Sequence, residues 1–295
     1  MVAGAVGIVA ATIWIGRSKL LGGSKKAKKP ALPGVVYLYQ LRRPHSGLTA
    51  PNVSPFCTKV EAYLRLHKIP HVIRYPLRPK SKNERFPYIE IDGEEVEDSH
   101  EIMKRLMAMT GEQPPAGDAK HRALALMRTL DLSAYHHCLR WLFVDSFNYV
   151  YNVSVAPIPK GLVRYCLLRY IRRSMINMLN SVGLGDLSEK QYHQAWLEDI
   201  EAVEAALAGN TWFEGGSAPT AVDCMLYGHI RPLVNPKKLD PKVDGVSMDP
   251  PAAVFARNSK VLIDYCRRMD DLLFPDLQEL LTKKDPAAEE QQLYR

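Results

Sequence analysis

The chain has 295 residues, 46% of them hydrophobic, enough for one large or two modest globular domains. Its net charge is +7, but Arg17, Lys19, Lys25, Lys26, Lys28 and Lys29 supply six of those charges with no acid before Pro30. The rest is nearly neutral, which argues against a nucleic-acid binder. Five cysteines with no CxxC spacing exclude a disulfide framework and a zinc ribbon, and no metal site is expected.

Residues 1–16 carry no charge and are mostly Ala, Val, Ile and Gly. With Leu20 and Leu21, and with Arg17 and Lys19 snorkelling, the segment 1–21 reaches the roughly 20 residues that a bilayer requires. Its positive charges follow the apolar run, opposite to a cleaved signal peptide, and a mitochondrial presequence would carry Arg within the run. A transmembrane anchor helix over 1–21 with a cytosolic basic flank is therefore expected. Residues 22–33 read as a flexible basic linker.

A first domain is expected over 34–112. The run Val35 to Tyr39 reads as a strand, and 40–53, with Pro44, Gly47 and Pro51, as a long loop. Ser54-Pro55-Phe56-Cys57 then opens a helix to His67, with Ser54 as N-cap and Pro55 at the first helical position. A hydroxyl or thiol at such a helix start sits where an anion is favoured. The plainer alternative is a cap whose Cys57 faces the core. His71 to Tyr75 alternates like a strand, and 77–86 is a basic connector. Two short strand runs flank Asp92-Gly93, a hairpin signal. Asp98-Ser99 precedes a helix ending near Gly111.

Pro114-Pro115-Ala116-Gly117 marks the break to a second domain, expected to be all-helical over 120–285. Helices are expected at 120–146, 160–182, 188–208, 221–231, 252–269 and 270–282, followed by a polar tail over 286–295. Ser188 with Gln191, and Thr220 with Asp223, have capping-box spacing. Adjacent residues on a helix point about 100° apart, so His136-His137-Cys138 is read as helix packing and not as a metal site. Arg164, Arg169, Arg172 and Arg173 form a basic run with two reasonable readings, a solvated face or one lying against anionic lipid.

The order β-α-β, then a β-hairpin and a helix, followed by helices, resembles the glutathione transferase superfamily. Ser54-Pro55-Phe56-Cys57, Phe86-Pro87-Tyr88-Ile89, Asp98-Ser99, Trp212-Phe213-Glu214-Gly215 and Pro219 to Asp223 carry the likeness. Tyr37-Leu38-Tyr39-Gln40 and Asn52 to Arg65 are most similar to the failed axon connections branch, relatives of metaxin. The resemblance implies an N-terminal thioredoxin-like domain followed by a helical C-terminal domain. It also implies glutathione as co-substrate or ligand. Ser54 would then stabilise its thiolate, with Cys57 second in the catalytic turn. Phe86 and Pro87 would face the cysteinyl part, and Asp98 and Ser99 the γ-glutamyl end. Tyr135, Arg140 and Trp141 are the candidates for an electrophile pocket, while Thr220 and Asp223 form a structural folding box. A non-catalytic interaction or sorting module is the alternative, with a protein partner or a homodimer. The resemblance and the anchor together suggest a membrane site with the body in the cytosol, the mitochondrial outer membrane ahead of the endoplasmic reticulum.

Overall fold

The computed structural model describes residues 32–43, 50–76, 79–146, 161–234, 242–243, 246–247, 249–282 and 289–292. The expected anchor at 1–21 and nearly all of the linker at 22–33 lie outside them. Among the described residues no helix is long and apolar enough to cross a membrane.

The first half is thioredoxin-like. Strand β1 (Val36–Tyr39) pairs in parallel with β2 (His71–Arg74) and antiparallel with β3 (Tyr88–Ile91), which pairs with β4 (Glu94–Glu97). Between β3 and β4, Asp92 and Gly93 both take positive φ, as the tight hairpin turn requires. Alternation along β1 sorts its side chains. Val36 and Leu38 face helix α1 (Pro55–Leu66), while Tyr37 and Tyr39 face away, Tyr39 stacking on Tyr88 at 4.4 Å. Helix α2 (Ser99–Thr110) ends at Gly111, whose left-handed φ of 74° closes the helix.

One feature of the sheet was not expected. Glu289–Gln292, read as part of a polar tail, forms β7 antiparallel to β2 and makes the sheet five-stranded, in the order β4-β3-β1-β2-β7. The segment Glu-Glu-Gln-Gln has no strand propensity of its own, and backbone pairing with the open edge of β2 accounts for it.

The second half is helical. Helical backbone runs from 117 to 145: α3 (Gly117–Arg128), a π-helical stretch (Thr129–Ala134), α4 (Tyr135–Arg140) and a second π-helical stretch (Trp141–Asp145). Helices α5 (Leu162–Ser181), α6 (Glu189–Leu207) and α7 (Ala221–Ile230) follow, and a short hairpin, β5 (Lys242–Val243) with β6 (Val246–Ser247), precedes the last three. These are α8 (Pro251–Asn258), α9 (Lys260–Leu273) and α10 (Leu277–Thr282). The expected break near 269 is misplaced. Ser259 interrupts the run instead, its extended backbone and its hydroxyl capping the amide of Leu262 at 3.2 Å, and the following helix continues to Leu273 before Pro275.

The two halves share one apolar core, from Val36, Leu38 and Ile89 through Tyr63 and Leu64 to Trp196, Met225 and Tyr265. Helix α1 is buried on both sides, against the sheet and against α7. The crossing is close at Gly228, where a Cβ would lie 2.6 Å from the carbonyl oxygen of Pro55.

Candidate functional site

The register of the sheet decides which loops meet. Tyr39, Tyr88 and Glu97 form one row across β1, β3 and β4. Gln40, Pro87 and Asp98 therefore leave the sheet at the same end. The chain beyond Gln40 returns as the N-terminus of α1, and α2 starts directly after Asp98. Two helix N-termini, each with free N–H groups and a positive dipole end, thus belong to one end of the sheet.

Ser54 is fixed from both directions. Its N–H donates to Asn52 Oδ1 at 3.0 Å, and Asn52 Nδ2 donates to the Leu41 carbonyl at 2.8 Å, which ties the loop back to the end of β1. Its Oγ accepts the Cys57 N–H at 3.4 Å, closing the cap. The side chain is buried. Cys57 is fully buried, and burial pushes its thiol up to about 11, against the weaker pull of the Leu41 backbone and the Ser54 hydroxyl. At neutral pH it is a packed thiol, not a thiolate.

The Phe86–Pro87 peptide bond is cis, and Phe86 stacks towards Tyr88 at 6.2 Å. Asp98 takes φ 67°, and its Oδ1 accepts the His100 N–H at 2.8 Å, capping α2. Ser99, the first residue of that helix, is buried.

The electrophile-pocket candidates do not come together. Tyr135 packs edge-on against Phe56 of α1 at 4.8 Å, and burial raises its phenol far above the usual range. Arg140 turns the other way and donates to the carbonyls of Leu184 and Leu187 at 2.9 and 2.8 Å. Trp141 packs against Trp196 in the core. Thr220 and Asp223 form a reciprocal capping box at the start of α7, and Asp223 also accepts the Phe213 N–H at 2.9 Å and the Tyr265 hydroxyl at 3.2 Å.

Three ionisable residues to which the sequence pattern gave no role meet where α1 faces the second half. Lys59 Nζ lies 3.9 Å from Asp131 Oδ2, and Asp131 Oδ1 contacts His229 Nε2 at 2.9 Å. The Phe56 ring stands 5.4 Å from the ammonium and edge-on to His229. Burial lowers the Lys59 pKa, and the carboxylates of Asp131 and Asp98 pull it back. For Asp131 burial is outweighed by the His229 hydrogen bond and the Lys59 charge, so its carboxyl sits below the usual range. Among the described residues no group of three or more His, Cys, Asp or Glu is arranged to hold a metal ion.

Residues 55–148 match the family described as "Glutathione S-transferase N-terminal domain". The protein is glutathione S-transferase-like. "Failed axon connections" of Drosophila melanogaster is 25% identical over 270 residues, 85% of this chain, and the chain spans 61% of that relative's length. This glutathione S-transferase-like chain is also similar to solved structures. A beta-etherase from Sphingobium sp. strain SYK-6 has TM-score 0.48 at 15% identity, over 84% of this chain and 99% of that one. A glutathione S-transferase of Ceriporiopsis subvermispora in complex with glutathione has TM-score 0.48 at 14% identity, over 85% and 99%.

Proposed function

We propose that the protein binds glutathione at the end of the sheet where Ser54, Pro87, Asp98 and Ser99 leave it. The observation that carries this reading is the row Tyr39–Tyr88–Glu97, which directs three loops and two helix N-termini to one place. The N-termini of α1 and α2 suit a thiolate and a carboxylate. With glutathione bound, the Ser54 hydroxyl turns its proton from the Cys57 thiol to the glutathione sulfur, which favours the thiolate. The backbone on either side of Pro87 takes the cysteinyl amide, and Asp98 takes the γ-glutamyl ammonium. Cys57, packed and protonated, has no part in this chemistry beyond donating its N–H to the cap. Residues 1–21 tether the domain to a membrane with its body in the cytosol.

The test is isothermal titration of glutathione into the detergent-solubilised full chain. Binding that Asp98→Ala weakens roughly tenfold or more supports the reading, since a charged hydrogen bond contributes about 1.5–3 kcal/mol. A folded parent protein that takes up no glutathione refutes it.

A second reading, a non-catalytic interaction module, is favoured by the Ser54 cap itself: the contact to Cys57 N gives the hydroxyl a purely structural use. Glutathione binding without transfer to a panel of electrophiles, unchanged in Ser54→Ala, is the outcome it expects.

A further inference from the structure

Helix α5 packs on one side only. Its inner face, with Leu168, Ile171 and Met175, rests on Tyr135 and Leu139 of α4 in a small cluster outside the shared core. Its outer face is apolar where a helix in water is ordinarily polar. Leu162 and Val163 are 77% and 74% exposed, the highest values among the exposed large hydrophobic residues described, and Tyr165 and Tyr170 are exposed with them. Scattered exposed apolar residues are ordinary, whereas a group of them on one face marks a contact surface.

The fold also sorts the basic run. Arg164 is buried, and Arg172 Nε donates to the Val144 carbonyl at 3.1 Å. Arg169 and Arg173 stay exposed, Arg169 over the Tyr165 ring at 5.9 Å, and among the described residues no carboxylate pairs with either. Leu162, Cys166, Arg169 and Arg173 lie at helical spacing and form one exposed stripe, with Val163 and Tyr170 along its side. No Asp or Glu occurs from 146 to 185, so nothing in the neighbouring sequence offsets this charge.

Aliphatic side chains, tyrosines and guanidinium groups on one helix face match the layers of a lipid interface. The first enter the acyl boundary, the second sit at head-group depth and the third bind lipid phosphates. An acidic polypeptide would match the arginines but not Leu162 and Val163. Among the described residues no helix is apolar enough to span a membrane, so α5 can only lie along one. We propose that the outer face of α5 is a docking surface for an anionic lipid bilayer. The face is independent of the glutathione site. It also goes beyond the tether at 1–21, because it fixes which side of the body faces the membrane.

The test uses the full chain reconstituted into vesicles, with an environment-sensitive fluorophore on Cys166, the exposed cysteine of the stripe. Emission is expected to shift to the blue in phosphatidylcholine vesicles containing about one-third phosphatidylserine, and to stay at its aqueous position in phosphatidylcholine alone. Arg169→Gln with Arg173→Gln is expected to lower the docking equilibrium roughly 30-fold, at about fivefold per arginine. Leu162→Ser with Val163→Ser, at positions exposed enough to leave folding intact, is expected to reduce the shift as well. A chain that floats with phosphatidylserine vesicles while its probe stays aqueous overturns the docking surface and leaves the tether standing. An equal shift in phosphatidylcholine alone overturns the role of the arginines and with it the proposal. So does an equal shift with soluble polyglutamate and no lipid, which would give the face to an acidic polypeptide.

Discussion

Glu61→Gln probes how α1 is held in place. Glu61 is fully buried, and Arg43 Nη2 and Arg65 Nε both contact its Oε1, at 2.7 and 3.0 Å, while Gln40 Nε2 donates to Oε2 at 2.9 Å. Burial works to raise its pKa, but the two guanidinium groups and the Gln40 bond outweigh burial and bring the carboxyl to about 2, from an ordinary 4.5. At about 1.4 kcal/mol per pKa unit, the folded state favours the ionised form by roughly 3 kcal/mol. Breaking a buried pair from one side costs about 3–5 kcal/mol. The lower end applies, because Arg65 keeps Asp276 at 2.7 Å and Arg43 keeps the Pro51 carbonyl at 3.0 Å. Urea unfolding followed by circular dichroism should show the midpoint of Glu61→Gln about 1 M lower at neutral pH, with a slope near 2–3 kcal/mol/M. The folded pKa is depressed, so this stabilisation is fully present above about 4.5 and is lost as pH falls towards 2. The gap between parent and variant should therefore shrink to about half at pH 3. A midpoint shift below about 0.3 M at neutral pH, or a gap independent of pH, refutes the account.

Gly228→Ala should lower stability, measured as thermal midpoint: the added Cβ would meet the Pro55 carbonyl at 2.6 Å, and overlap costing about 1–3 kcal/mol exceeds the ~1 kcal/mol gained in helix propensity. Asp223→Ala strands the N–H groups of Phe213 and Thr220, while the Tyr265 hydroxyl keeps the backbone carbonyl of residue 223, and denaturant titration should show a loss of about 2 kcal/mol or more. Deleting residues 2–21 should move the protein from the membrane pellet to the supernatant on fractionation; a truncated protein that stays in the pellet removes the anchor proposal.

Features written in adjacent residues were legible in the sequence, and features made by burial or by distant contacts were not. The Asp92-Gly93 hairpin and the Ser188 and Thr220 helix starts each depend on a few consecutive residues, and each forms. The break at Ser259 was missed because a Ser within a helical pattern reads equally as interior or cap, and only its extended backbone distinguishes the two. The π-helical stretches at 129–134 and 141–145 were not legible because each is little more than one turn, too short to set a period of its own. The state of Cys57 is fixed by burial beside Leu41, Ser54 and Glu61, which the local motif left open between a catalytic and a core-facing thiol. Lys59, Asp131 and His229 come from α1, the π-helical stretch at 129–134 and α7, so nothing in their spacing marks them as neighbours.

Helix α1 joins these observations, because its three surfaces serve the site in different ways. The N-terminus presents Ser54. The sheet-side network of Glu61, Arg43 and Arg65 fixes the helix and, through Asp276, ties it to the end of α9. The opposite surface carries Lys59 and packs at Gly228 against α7, the helix that also supplies His229. A shift of α7 relative to α1 would therefore displace His229, the partner of Asp131, and the backbone beside Pro55 together. Gly228→Ala should consequently weaken glutathione binding as well as stability, although residue 228 has no place in the proposed ligand site. Thr220 and Asp223, which lie at the other end of α7, set where that helix begins and hence where Gly228 meets Pro55. The proposed site is in this sense a property of the domain crossing, and a thioredoxin-like half prepared alone would keep Ser54 and Pro87 but lose the α7 backbone against which Pro55 packs.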